Sequence, residues 1–233
     1  MLLPADMLSH TLMPWILAAP ALPLAFMISR KNLFSGINVA ILLACTTSML
    51  TNVFFSLIVR APGSLRTDIY LVGILLEFSL AMVMLWKCAE HRFIQGIVLA
   101  SGVMLCGSLG WLIALGSDVA YLKTLLSSGH AAIAVLSFVS LAHASFSTTR
   151  LHGFFTDIPQ YWVMAGLMLH FGSTPIFLAV ANGHSPAEWA SQWDFGLLFT
   201  VSSCARFVLF TTAVIVGRKQ ETNPEMPFPA LPA

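Results

Sequence analysis

Two ionisable residues sit where a membrane helix tolerates them least. Glu77 interrupts the apolar run LVGILLEFSLAMVMLW, Leu71 to Trp86, and Arg206 interrupts a second run at SSCARFVLF. A charge at the centre of a membrane helix costs roughly 2.5 to 3.5 kcal/mol on insertion scales, so such a group must be neutralised, paired or wet. Guanidinium keeps its charge at any relevant pH, which makes the need of Arg206 the more urgent. The spacing predicts that both point inward. Gly73, Glu77 and Ala81 recur at one helical face, and small residues there let a neighbouring helix approach closely. Ser202 and Ser203 lie one turn before Arg206, and Phe210 one turn after it. The expectation is a Glu77–Arg206 link, direct or through water, across the interior of a helical bundle. Such a pair either fixes helix register or marks a site.

Two histidines at similar depth extend the polar set. His130 shares a face with Ser127, Ala134 and Ser137, and His170 shares one with Gly166, Ser173 and Thr174. Pro175 has no amide to donate, so the Phe171 carbonyl loses its helical partner beside His170. Asn38, Cys45 and Asn52 repeat every seventh residue as a further seam, for which interhelical hydrogen bonding is the plain reading. The candidate ligand-binding set is Glu77, Arg206, His130, His170, Ser173 and Asn52. In it Arg206 would clamp an anion and Glu77 would be its resting counter-ion. His130 and His170 are also the one histidine pair that could hold haem or a metal. A hydrolytic metal site finds no H-x-x-x-H or H-E-x-x-H spacing. No catalytic residue is assigned. His10, His91, His143, His152 and His184 fall at rims, where solvation is expected.

The elements that position these residues follow from composition. The 233 residues are 58% hydrophobic and 9% charged, against about 25% charged in soluble domains, and the mean hydropathy is +0.85. The sequence predicts an all-α integral membrane protein, a seven-transmembrane helix bundle. Its spans are Met7 to Ile28, Leu33 to Val59, Ile69 to Trp86, Phe93 to Leu115, Ala120 to Leu141, Tyr161 to Ala181 and Phe195 to Val216. Arg30, Lys31, Lys87, Arg92, Arg150, Arg218 and Lys219 fall on one side and Arg60, Arg66 and Lys123 on the other. That asymmetry places the N-terminus outside and the C-terminus in the cytoplasm. The first span reads as a retained helix, since no basic stretch precedes it, and Pro14, Pro20 and Pro23 should bend or interrupt it. Residues 1–219 form the helical domain, and residues 220–233 a disordered proline-rich cytoplasmic tail. Short connections leave no room for a soluble domain. The net charge of +1 gives no electrostatic basis for nucleic acid as a partner. Cys45, Cys88, Cys106 and Cys204 read as small packing residues, and the tryptophans mainly as interfacial anchors. No internal repeat of the kind inverted-repeat transporters carry is evident.

The stretches DIPQYWVMAGLMLHFGSTPIFL and TDIYLVGILLEFSLAMVML resemble the sixth and third spans of small bacterial seven-helix proteins of unassigned function, the third including a membrane-embedded Glu. His170 stands where an aromatic residue is expected in that pattern. The resemblance implies a sensor or input module of the bacterial inner membrane, linked to a signalling partner. The layout also resembles microbial rhodopsins, but a retinal Schiff base needs a lysine amine in the seventh span, where this chain has Arg206, so covalent retinal is not expected. The leading expectation is therefore a non-enzymatic sensor or small-ligand-binding protein, with output through the inner loop that holds Arg150 and His152. A haem- or metal-binding redox protein or enzyme is the alternative, and a structural subunit of a membrane complex is the third.

Overall fold

Leu, Ile, Val, Phe and Ala dominate each long run, and a backbone in lipid must satisfy every amide within its own segment, which a helix does. The computed structural model describes residues 15, 18–28, 37–58, 63–89, 91–115, 119–149, 158–182 and 193–222, with side chains at most of these positions. Among them it shows seven helices and no strand: α1 (Ala21–Ile28), α2 (Ile37–Ile58), α3 (Gly63–Cys88), α4 (Arg92–Leu115), α5 (Val119–Thr149), α6 (Pro159–Asn182) and α7 (Trp193–Thr222).

Several boundaries differ from the sequence expectation. α3 begins ahead of Ile69, and α5 continues past Leu141 through Thr149. Charged and polar residues at those ends remain compatible with helix once the backbone has a folded neighbour to follow, since propensity is a weak constraint. α7 runs through Thr222, so the start of the expected tail is helical, and residues 223–233 lie outside the described residues. The connection at residues 150–157, with Arg150 and His152, lies outside them as well. Of the expected first span, α1 covers only Ala21–Ile28, about 12 Å of helix. Ahead of it the Ala19 amide donates to the Trp15 carbonyl at 2.9 Å and the Leu22 amide to the Ala19 carbonyl at 3.2 Å, so the chain turns through Pro20. That is the interruption a proline without an amide imposes.

Each helix packs against the next in sequence, and α7 returns to α1. α3 also touches α5 and α6, and α2 touches α7. α3 is thus contacted by α2, α4, α5 and α6, which puts Glu77 among neighbours on several sides. The fully buried large side chains include Phe78 of α3, Ile133 of α5, Met164, Leu167 and Phe171 of α6, and Phe210 of α7. The outward surface is equally apolar: Phe93, Met104 and Trp111 of α4 and Phe138 and Phe146 of α5 are exposed. A surface of that kind is costly in water and natural against lipid. Three stretches, Arg92–Leu112, Thr124–Phe146 and Thr200–Gly217, are long and apolar enough to cross a membrane, and Ile37–Leu50 is a shorter apolar helix. These helices put the chain in contact with a bilayer.

Close approach of α3, α4 and α5 depends on Gly129. A Cβ there would stand 2.7 Å from Leu105 Cδ1 and 2.7 Å from Phe78 Cε2. Leucine can rotate away, but the Phe78 ring is held against His130 and Phe171. Gly129→Ala is therefore expected to destabilise the folded protein by about 1–3 kcal/mol, read from reversible unfolding in mixed micelles. A variant as stable as wild type would contradict the packing described.

Candidate functional site

The interior charge cluster is assembled by three helices. α3 contributes Glu77, α6 contributes His170, and α7 contributes Arg206 and Ser203. The α6–α7 approach is set by Gly166, whose position leaves only 3.1 Å between a hypothetical Cβ and Phe210 Cε1, and 3.3 Å to the Arg206 carbonyl oxygen. A larger residue at 166 would push α7, and Arg206 with it, away from α6.

Arg206 Nη1 donates to Glu77 Oε1 at 2.5 Å. The guanidinium carbon also lies 4.6 Å from the centre of the Phe207 ring, a cation–π contact. Arg206 Nε is buried and has no hydrogen-bond partner among the described residues. His170 Nε2 lies 3.5 Å from the same carboxylate oxygen, an electrostatic contact longer than a good hydrogen bond. Its Nδ1 lies 3.4 Å from Ser203 Oγ. Glu77 thus faces a fixed cation and a titratable ring at once.

A cavity of about 60 Å³ opens beside the pair. Its wall comprises Ala44, Thr47 and Ser48 of α2, Gly73, Glu77, Leu80, Ala81 and Met84 of α3, Leu167 and Phe171 of α6, and Arg206 of α7. At roughly 10–15 Å³ for each water-sized occupant, it holds a few waters or one molecule of a few heavy atoms. The Glu77 side chain is 34% exposed and that of Arg206 8%, so the carboxylate is the accessible member and the guanidinium lies behind it.

The residues expected to form one site divide into two groups. Glu77, Arg206 and His170 converge. His130 is buried and packs against two phenylalanines, with ring centres 4.7 Å from Phe78 and 5.3 Å from Phe171. Its Nδ1 pairs with the Leu126 carbonyl at 2.7 Å. Ser173 turns back onto its own helix and donates to the His170 carbonyl at 2.9 Å, rather than reaching the cavity. The side chain of Asn52 lies outside the described residues. Pro175 lies inside α6, which continues to Asn182, so the missing amide does not end the helix. All four cysteines are free thiols, with Cys45 and Cys88 buried.

Haem between His130 and His170 does not fit this arrangement. Both nitrogens of His170 face protein groups, one nitrogen of His130 is bonded to Leu126, and Phe171 lies against both imidazoles, 5.1 Å from that of His170. Neither ring lines the cavity. Among the described residues no group of three or more His, Cys, Asp or Glu side chains converges with metal-ligand geometry.

Some members of the site escaped the sequence reading. Thr47 and Ser48 form the α2 wall, and the signal was present in Ala44, Thr47 and Ser48, spaced i, i+3, i+4 along one face. Ser203 was placed on the Arg206 face, but that it would meet His170 depends on the register between α6 and α7. No protein-family model, curated protein or solved structure matches the chain.

Proposed function

We propose that this protein is a seven-span bundle of the bacterial inner membrane, N-terminus outside and C-terminus in the cytoplasm, that binds a small solute in its interior and signals through a membrane partner. The observation that carries the reading is the Glu77–Arg206 ion pair in the wall of a cavity shared by α2, α3, α6 and α7. A pair needed only for helix register gains nothing from an adjoining void. A void lined by one fixed cation and one accessible carboxylate suits a ligand that competes for the guanidinium. Because the cavity joins four helices, an occupant that separates Glu77 from Arg206 shifts α3 against α7, and a ligand moves an equilibrium by its differential affinity for the two arrangements.

The reading is tested by thermal unfolding of the purified protein with a panel of small anionic, cationic and neutral solutes. A solute at one hundred times its Kd adds about 2.7 kcal/mol of stability. At least one is expected to raise the Tm of wild type and to lose that effect in Arg206→Gln. If no solute stabilises, or if stabilisation persists in a folded Arg206→Gln protein, the pair is structural and the reading fails.

A further inference from the structure

The Arg206–Glu77 pair is electrically neutral, and that limits what can join it. Arg206 is buried, lines the cavity, and keeps Nε without a partner among the described residues. A cation entering the cavity would take the local charge from zero to plus one, and the guanidinium has no proton it can release to offset it. An anion would compete with Glu77 for Arg206 and take the local charge from zero to minus one. An uncompensated charge in a low-dielectric interior is strongly disfavoured. The arrangement that satisfies both Arg206 and neutrality is entry of an anion together with one proton.

The titratable groups around the pair lie on defined elements, and of these only a carboxylate or an imidazole can take up a proton. Glu77 of α3 is the accessible carboxylate, and His170 of α6 has Nε2 towards Oε1. His130 of α5 packs against Phe78 and Phe171, with Nδ1 on the Leu126 carbonyl. Cys45 of α2 is buried, next in sequence to the cavity residue Ala44. Cys106 of α4 lies 3.4 Å from Ser79. The described residues of α1 carry no titratable side chain.

Resting on the ligand-binding reading above, we infer that the cavity takes a small weak acid of formate or acetate size, as its anion plus a proton. The anion pairs with Arg206, and Glu77 releases the guanidinium and carries the proton as a neutral carboxylic acid. One anion and one proton enter from solvent, no electrons move, and the net charge of the cluster stays at zero. The size follows from a cavity of about 60 Å³, which suits a molecule of a few heavy atoms.

Calorimetric titration of sodium formate into the detergent-solubilised protein tests this, run between about pH 5.5 and pH 7.5 in two buffers of different ionisation enthalpy. One proton is expected to be taken up per formate bound, and the affinity to fall about tenfold per pH unit as pH rises. In Glu77→Gln, which resembles the protonated side chain, formate binding is expected to persist with no proton uptake and a flat pH profile. If that variant does not fold, the proton count on wild type decides. Formate binding with no proton uptake at any pH overturns the coupling and leaves the ligand-binding reading intact. Absence of formate and acetate binding, in a preparation that another small solute stabilises through Arg206, overturns the weak-acid class alone. Absence of binding by every small solute overturns both.

Discussion

Glu77→Ala lowers the stability of the folded protein by about 3 kcal/mol or more, because it leaves Arg206 charged, buried and without its partner. The guanidinium cannot shed its proton, and His170, which also faces the vacated position, offers no negative charge in exchange. The estimate sits at the low end of the range for buried pairs because the Glu77 side chain is about a third exposed to the cavity. Arg206→Met costs less. A carboxylate left alone can take up a proton and become neutral, and methionine restores much of the lost packing volume. The asymmetry is the informative part. Equal and small effects in both variants, measured by unfolding in mixed micelles, would mean that the two side chains are independently hydrated and not paired.

Phe78→Ala is the second large effect, also about 3 kcal/mol. In lipid the exposed reference is as apolar as the core, so the loss comes from contacts and not from transfer out of water. Phe78 is fully buried, meets His130 edge-on at 4.7 Å, lies 5.9 Å from Phe171, and fills the space that Gly129 leaves open. Removing the ring deletes its contacts with His130 and Phe171. Phe78→Leu retains part of that packing volume and should cost less than half as much. An alanine variant as stable as the leucine one would show that neighbouring helices collapse into the gap.

The charge pair was legible in the sequence because the physics leaves few choices. A fixed cation at mid-span needs an anion or water, and Glu77 was the acidic group at comparable depth. The inward faces followed from spacing: Gly73, Glu77 and Ala81 all line the cavity, and Ser202, Ser203, Arg206 and Phe210 are all buried. Less legible was which inward residue meets which. Periodicity within one helix says nothing of its axial register against the next, and that register sends Ser203 to His170 and packs His130 against two phenylalanines. The helices are also apolar on both faces. Phe93, Met104 and Trp111 point outward from α4 while Val98, Leu105 and Leu109 of the same helix are buried, so hydrophobicity alone does not separate core from lipid-facing positions. Ser173 misled for a simpler reason. A serine inside a helix can bond a carbonyl of its own preceding turn, as this one bonds His170, and its presence on an inward face need not make it a site residue.

The most direct measurement is a double-mutant cycle between Glu77→Gln and Arg206→Gln, with unfolding free energies for wild type, both single variants and the double variant. A direct contact between two interior charges predicts a coupling of about 2 kcal/mol or more, with the double variant more stable than the sum of the single losses allows. Losses that simply add, within about 0.5 kcal/mol, would mean that Glu77 and Arg206 do not sense one another.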